Sequence, residues 1–132
     1  MMTEHPNTAL LRRLFKAFAE RDVATVQSII AEDAVWRFPG ARGALAGEYH
    51  GRDEIAHFLG SVPKLTGGTF HLEVHDVAAS DDRAVVLFTG RGERNGKTLE
   101  NPTALVVSIR DGQAVEFSEY VWDLPAVDDF WS

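Results

Sequence analysis

Residues 84–123, AVVLFTGRGERNGKTLENPTALVVSIRDGQAVEFSEYVWD, decide the fold. Three runs rich in β-branched and aromatic residues lie at 84–91, 98–109 and 114–123. The segments that separate them, RNGK at 94–97 and RDGQ at 110–113, contain Asn-Gly and Asp-Gly, which tolerate the positive φ of a tight hairpin turn. The stretch therefore predicts a three-stranded meander, about the smallest sheet that can hold a hydrophobic face.

The sequence before this meander predicts three helices and two further strands. Residues 8–20 carry leucine and phenylalanine at helical spacing, with charged side chains opposite. Asp22 is placed to cap a second helix at 23–31. A third helix opens at 51, and we expect it to end within 60–63, where glycine and proline occur. The further strands are predicted at 34–38 and 69–77.

The order of these elements predicts an α+β fold. Three N-terminal helices would pack on one face of a curved, mainly antiparallel sheet, giving a cone-shaped α+β barrel with one open end. We expect residues 1–132 to form a single domain, because a chain of 132 residues can bury one genuine core. The glycine-rich loop at 39–50 is either a lid over the open end or a surface connection.

Composition disfavours several classes of function. The net charge of −7 argues against binding nucleic acid or an anionic membrane, since both need basic patches. The sequence lacks a membrane-spanning apolar run and a signal peptide at its start, and it contains no cysteine, so we expect a cytoplasmic protein. It also lacks a Walker loop and a dinucleotide fingerprint, so we expect no cofactor.

The histidines do not form a metal-site pattern. In the segment HLEVH at 71–75, His71 and His75 share a strand face. Their positions lie about 13 Å apart along an extended chain, which is too far for one ion with bonds near 2 Å. We therefore predict no metal site and expect these side chains to face solvent.

Four short segments together resemble one family. They are DAVW at 33–36, YHGRDEI at 49–55, DG at 111–112 and EYVWD at 119–123. They resemble the SnoaL-like polyketide cyclases, of the superfamily that includes ketosteroid isomerases, limonene-epoxide hydrolases, scytalone dehydratases and nuclear-transport-factor-like domains. The resemblance extends from about residue 10 to residue 123 and implies a cavity for a small molecule. It specifies the reaction weakly, because this scaffold hosts both enzymes and pure binders.

The resemblance disfavours two of the chemistries found in this superfamily. A ketosteroid isomerase needs a carboxylate base and an oxyanion hole, but the corresponding positions fall on Leu14, Phe38 and Leu105. The limonene-epoxide hydrolase pattern needs two acids and an arginine, and its positions fall on Val86, Phe88 and Glu119. Only the carboxylate of Glu119 remains, and one carboxylate cannot both deprotonate water and protonate an epoxide.

The resemblance places Glu119 as the general acid/base of a SnoaL-like cyclase, with Asp123 as the second candidate. Strand alternation puts Phe117, Glu119, Val121 and Asp123 on one face, although a register error of one residue would turn them outward. Among aromatic side chains a carboxylate loses hydration, so its pKa should rise towards neutrality. Alternatively, Glu119 pairs with Arg37 or lies at the wet mouth of the cavity.

We expect a small hydrophobic ligand to be bound without metal or cofactor. The predicted ligand-binding residues are Trp36, Phe38, Tyr49, Phe58, Phe88, Asn101, Leu105, Phe117 and Val121. Asn101 and Tyr49 would position polar groups of the ligand, and the others would form apolar walls. Alternatively, the aromatic residues simply fill the core. The sequence thus predicts a cyclase, isomerase or hydrolase acting on an apolar, carbonyl-bearing substrate, or a non-catalytic module that binds such a molecule.

The opposite face of the sheet predicts an interface. Tyr120, Trp122, Ala104 and Val106 would fall together on the convex side, and an exposed apolar patch usually marks a contact surface. The resemblance also implies a homodimer through the sheet. The tail at 130–131 is too apolar to remain in solvent, so we expect it to pack on the domain or on its partner.

Overall fold

The computed structural model describes residues 4–132 and confirms the predicted α+β class. N-terminal helices pack on a six-stranded, mixed and mostly antiparallel sheet. The helices are α1 (Pro6–Ala19), α2 (Val23–Ile29), α3 (Arg52–Leu65) and α4 (Leu124–Trp131). The strands are β1 (Ile30–Phe38), β2 (Gly47–His50), β3 (His71–Ala79), β4 (Arg83–Arg94), β5 (Lys97–Arg110) and β6 (Gln113–Val121).

The predicted meander is present as β4, β5 and β6, and its turns have the expected geometry. Asn95 and Gly96 have φ of 52° and 78°, and Asp111 and Gly112 have φ of 53° and 75°. Two consecutive positive φ angles match the twist of the flanking strands, which is why Asn-Gly and Asp-Gly favour such turns. The first turn sets an uninterrupted pairing of β4 with β5, whereas between β5 and β6 the register shifts by one residue at Val115, between the pairs Ile109–Ala114 and Ser108–Glu116.

The sheet has the order β2-β1-β6-β5-β4-β3, and β1 and β6 are its parallel pair. On β5 and β6, Leu105 lies opposite Glu119, and Leu105 is fully buried. Residues directly opposite each other project from the same face of a sheet. Glu119 therefore projects from the inner face, which the helices cover, and the predicted register holds.

The helices cover the inner face from two sides. α1 contacts β3 and β4, whereas α3 contacts β1 and β2. The boundaries differ from the prediction at two points. α2 ends at Ile29, because Ile30 is already extended and begins β1. α3 continues past Pro63 to Leu65, because a proline in the last turn removes only one backbone hydrogen bond.

The C-terminal helix α4 is absent from the sequence prediction, which gave only an apolar tail. β6 ends at Val121, and the Asp123 carboxylate accepts a hydrogen bond from the backbone N–H of Ala126 at 3.2 Å, capping α4. Phe130 and Trp131 are each 2% exposed, so the tail packs on its own domain. Asp123 thus lies beyond the sheet and in solvent, so its predicted place on the same strand face as Glu119 is wrong.

Asp128 of α4 holds the loop between β1 and β2. Its carboxylate accepts hydrogen bonds from the backbone N–H groups of Ala41, Arg42 and Gly43, at 3.0, 3.0 and 2.7 Å. These bonds, that of Gly43 foremost, hold the pKa of Asp128 below its ordinary value of 3.8. Gly40 has φ of 127°, and a Cβ there would collide with the Asp128 carboxylate. The loop is therefore anchored to α4.

We predict that Asp128→Ala lowers the melting temperature at neutral pH, because three loop amides lose their acceptor. A carboxyl whose pKa is depressed by folding stabilises the fold above its unfolded pKa, and this stabilisation is lost as the pH falls through the folded pKa. The difference from the wild type should therefore shrink below pH 3.8, which circular dichroism melts would show. Asp129→Ala, on the neighbouring exposed position, is the control, and equal melting temperatures for both variants would contradict this role.

Candidate functional site

An apolar cavity lies between the inner face of the sheet and the helices. The cavity volume, counted as the space that the centre of a water molecule can occupy, is about 70 Å³. One water molecule needs roughly 10–15 Å³ when volume is counted in the same way. The cavity therefore has room for a small organic molecule. It is lined by Leu14, Phe15, Phe18, Val26, Ile30, Trp36, Phe38, Leu45, Phe58, Leu59, Val62, Phe70, Leu72, Phe88, Gly90, Leu99, Asn101, Leu105, Glu119 and Trp131.

Glu119 is the one titratable side chain among the described residues that line this cavity. β6 positions it opposite Leu105, and the indole N–H of Trp36 donates a hydrogen bond to Oε2 of Glu119 at 2.8 Å. Trp36 comes from β1, the parallel neighbour of β6. The carboxyl is thus held between two strands by one donor from the cavity wall.

Burial raises the pKa of Glu119 from 4.5 to about 7, because the apolar surroundings disfavour the charged form. The hydrogen bond from Trp36 opposes this shift, since it stabilises the ionised carboxylate. At neutral pH both protonation states are therefore populated. A group with this property can accept a proton and return it, as general acid/base catalysis requires.

The alternative in which Arg37 neutralises Glu119 is wrong. Arg37 follows Trp36 on β1 and therefore projects from the opposite face of the sheet. There its guanidinium lies 3.7 Å from the Glu48 carboxylate and 3.8 Å from that of Glu116. Glu119 thus lacks a cationic partner among the residues that line the cavity.

Stacked aromatic rings fix the orientation of the Trp36 indole. Its ring lies 4.3 Å from that of Phe117 with an interplanar angle of 10°, and 5.6 Å from that of Phe58. Phe58 is stacked in turn on Tyr49, at 4.3 Å. Offset stacking of this kind restricts ring rotation. The donor that faces Glu119 is therefore held in place by a second layer of side chains.

Six of the predicted ligand-binding residues line the cavity: Trp36, Phe38, Phe58, Phe88, Asn101 and Leu105. The other three do not. Phe117 is fully buried behind Trp36, and Val121 packs against the core at the end of β6. The Tyr49 hydroxyl donates to the carbonyl of Leu45 at 2.6 Å, so it is not free to position a ligand. Burial, followed by the charge of Glu119, raises the pKa of Tyr49, which keeps the phenol neutral.

Several lining residues were not predicted from the sequence, among them Leu45, Leu99 and Trp131. Leu45 is the only large aliphatic residue of a loop rich in glycine and alanine, and this isolation was an available signal. For Trp131 the signal was the apolar tail. Neither pattern indicates which surface the side chain contacts, because that depends on how the loop and α4 dock.

The described part of the chain offers neither a cluster of metal ligands nor a membrane-spanning helix. Residues 4–132 contain no group of three or more histidine, aspartate or glutamate side chains arranged to hold a metal ion. Within the same residues no helix has the length and hydropathy needed to cross a bilayer.

Comparison with known proteins gives a family match and a full-length relative. A family model described as a SnoaL-like domain matches residues 11–117. An uncharacterized protein of Mycobacterium tuberculosis strain H37Rv is 33% identical over 132 residues, which cover 99% of this chain and 100% of the relative. The similarity to this relative therefore includes the strands that carry Trp36 and Glu119, whereas the family match ends two residues before Glu119.

Solved structures show the same architecture. Bal32a, from a soil-derived mobile gene cassette, is 34% identical with a TM-score of 0.91, and 96% of this chain and 97% of that one are covered. An NTF2-like protein of unknown function from Burkholderia pseudomallei is 27% identical, with a TM-score of 0.85 and coverage of 98% and 99%. A "putative SnoaL-like polyketide cyclase" from Jannaschia is 16% identical, with a TM-score of 0.79 and coverage of 100% and 98%, and shows the fold alone.

We predict that Glu119→Gln is more stable than the wild type at pH 8 and similar to it below pH 4.5. The raised pKa means that the folded protein holds this proton more tightly, so stability falls as the pH rises from 4.5 to about 7. The full effect is on the order of 3 kcal/mol, since each pKa unit corresponds to about 1.4 kcal/mol. Urea unfolding at several pH values measures it. Glu116→Gln, on the outer face of β6, is the matched control.

A second readout is the indole N–H resonance of Trp36. Because this group donates to Glu119, its chemical shift should titrate with a midpoint near pH 7 and should stop doing so in Glu119→Gln. A midpoint close to 4.5 in the wild type would show that the carboxyl is hydrated and not buried among apolar side chains.

Proposed function

The chain belongs to the SnoaL-like domain family, and from this premise we propose that it is a small-molecule enzyme of the cyclase, isomerase or hydrolase type. Its substrate would be apolar and carbonyl-bearing, and Glu119 would be the acid/base. One observation carries the proposal: Glu119, whose pKa is raised to about 7 by burial, is the single carboxyl in a cavity lined mainly by apolar side chains. Family membership identifies the fold. The carboxyl limits the candidate reactions to those that one acid/base group can catalyse.

A lone carboxyl favours reactions in which one group first removes a proton and then returns it. The Glu119 carboxylate would take a proton from the carbon next to the substrate carbonyl, leaving an enolate. In an aldol closure the enolate carbon bonds to a second carbonyl carbon, and the alkoxide formed takes the proton from Glu119. In an isomerisation the proton returns to another carbon. Atoms and charge balance in both cases without a further reactant.

Hydrolysis is less favoured than these two reactions by the composition of the cavity wall. It needs one group to activate water while another protonates the leaving group. Val86 and Phe88 occupy two of the three positions at which the limonene-epoxide hydrolase pattern needs polar groups, and both are buried apolar residues. Trp36 would act as a positioning residue, because its indole orients the carboxyl and favours ionisation.

The second candidate is a non-catalytic module that binds a small hydrophobic ligand. The same apolar walls favour it, since the donor that the cavity wall places beside Glu119, the Trp36 indole N–H, is already bonded to the carboxyl and is not free to stabilise an enolate oxygen. Glu119 would then form a hydrogen bond with the ligand without removing a proton from it. The two candidates differ in whether a carbon-bound proton of the ligand is removed.

We predict that the protein accelerates hydrogen–deuterium exchange at the carbons next to the carbonyl of 2-indanone, a flat apolar ketone. Exchange is followed by proton NMR in D₂O. Glu119→Gln should lose about 100-fold or more of the acceleration, the usual contribution of a general base. The rate should rise with pH around a midpoint near 7. Trp36→Phe should shift that midpoint upward, since it removes the bond that favours ionisation.

The outcome separates the two candidates. Binding of 2-indanone by the wild type without accelerated exchange would favour the binding module over the enzyme. Exchange that is equal in the wild type and Glu119→Gln would remove Glu119 from the mechanism while leaving the cavity as a binding site.

We further propose that the protein forms a homodimer through the outer face of the sheet. Tyr120 and Trp122 are 62% and 86% exposed there, and Leu87 is 44% exposed. Ala104 lies between Tyr120 and Leu87 in the strand pairing, so these side chains form one continuous row. Large apolar side chains grouped in this way favour a contact surface. A second copy of the chain would cover it.

We predict that Trp122→Arg converts the dimer into a monomer, because a charge without a partner would be buried at the interface. Size-exclusion chromatography with light scattering measures the change in mass. Val23→Arg is the control, since Val23 is also exposed, at 61%, but lies on α2. A dimer that persists in Trp122→Arg would show that another surface is used.

A further inference from the structure

Two buried polar side chains in the cavity have no hydrogen-bond partner among the described residues. They are the amide oxygen Oδ1 of Asn101 and the indole Nε1 of Trp131. Asn101 is 5% exposed and Trp131 is 2% exposed, and both line the cavity. A buried polar atom without a partner is costly, and each such atom in a native protein needs an explanation. Because both atoms line the same cavity, one explanation can account for both.

The two side chains lie at the same end of the cavity. Asn101 on β5 is paired with Gly90 on β4. A Cβ on Gly90 would lie 3.3 Å from the Phe70 ring, so this ring covers the glycine. The centroid of the same ring is 6.4 Å from that of Trp131. Phe70 therefore connects the surroundings of Asn101 to Trp131.

This end of the cavity is separate from Glu119. Glu119 lies opposite Leu105, and Asn101 is four residues before Leu105 on β5. Four residues of extended chain span about 13 Å. A ligand that reaches both points must therefore extend along β5, with its reacting carbon near Glu119 and another group near Asn101.

The chemistry of the unpartnered atoms defines that other group. Oδ1 of Asn101 accepts a hydrogen bond, whereas Nε1–H of Trp131 can only donate one. A hydroxyl group donates one bond and accepts others, so it complements both atoms. A ketone or an ether oxygen would leave Oδ1 unpartnered, and a charged group would be buried without a counter-ion.

We propose that Asn101 and Trp131 form a hydroxyl-binding subsite, so that the ligand is an apolar molecule with a hydroxyl group at the end remote from Glu119. This inference rests on the proposed function in one respect, that the cavity binds a small apolar molecule. It does not depend on catalysis by Glu119. The subsite would set the direction in which the substrate enters and thereby choose the carbon that faces the carboxyl.

The test compares three probes of similar shape: 4-propylphenol, 4-propylanisole and propylbenzene. Dissociation constants are measured by calorimetry. The phenol should bind the wild type about tenfold more tightly than either of the others, the usual effect of a buried hydrogen bond. Asn101→Leu, which keeps the side-chain volume, should abolish this preference without weakening propylbenzene. It should also raise the melting temperature, because it removes an unpartnered buried amide.

Two further variants show which side chains bind the hydroxyl group of the ligand. In Trp131→Phe the preference for the phenol should fall, and in the wild type the indole N–H resonance of Trp131 should move when the phenol is added. In Glu119→Gln the preference should remain. If Glu119→Gln and not Asn101→Leu abolishes the preference, the carboxyl holds the hydroxyl, and the subsite proposal is wrong while the proposed function stands.

Three other outcomes would overturn the proposed subsite. Equal binding of all three probes by the wild type would overturn the subsite and leave the cavity as an apolar binding site. Absence of binding for every probe at its solubility limit would overturn both proposals. A lower melting temperature in Asn101→Leu, with equal losses for all three probes, would show that the amide supports the fold and does not serve a ligand.

Discussion

The register of the β5–β6 hairpin is the constraint on which the site depends. The turn at Asp111-Gly112 starts the hairpin, and the one-residue register shift at Val115 then brings Glu119 opposite Leu105, which determines the side chains that face the helices. Because side chains alternate between faces, a slip of one residue would place Glu119 in solvent and bring Tyr120 inside. The hydrophobic residues of both strands oppose such a slip, since they would leave the core together. The same forces that fold the sheet thus keep a carboxyl in an apolar cavity.

Two opposing effects determine the pKa of that carboxyl. Desolvation favours the neutral acid, whereas the indole of Trp36 favours the carboxylate. An ion pair would have secured the charged form, but Arg37 lies on the other face with Glu48 and Glu116. A carboxyl with one neutral donor and no cation can change its protonation near neutral pH. This capacity lowers the stability of the fold wherever the group is ionised, so the carboxyl is better explained by a role in function than by a role in folding.

The secondary-structure elements and the faces of the strands were predicted better from the sequence than the depth at which each side chain is buried. Turn residues and alternation gave the meander and the inward direction of Glu119, because both are local properties of the chain. Phe117 and Tyr49 were expected to line the cavity, but Trp36 and Phe58 are stacked over them and form the surface instead. α4 was missed because eight residues have little helical preference of their own, and its formation depends on the Asp123 cap and on packing. Trp131 could not be assigned to the cavity without that helix.

The C-terminal helix is fastened at several points. Asp128 accepts hydrogen bonds from the loop, and beyond it Arg94 donates to the carbonyls of Phe130 and Ser132 at 3.2 and 2.7 Å. Loop, helix and β-hairpin tip are therefore joined by hydrogen bonds, and we expect them to open together. Because Trp131 belongs to this unit, we expect exposure of that end of the cavity to accompany amide hydrogen exchange at Gly43. Passage of small molecules through that side would then depend on the same fluctuation.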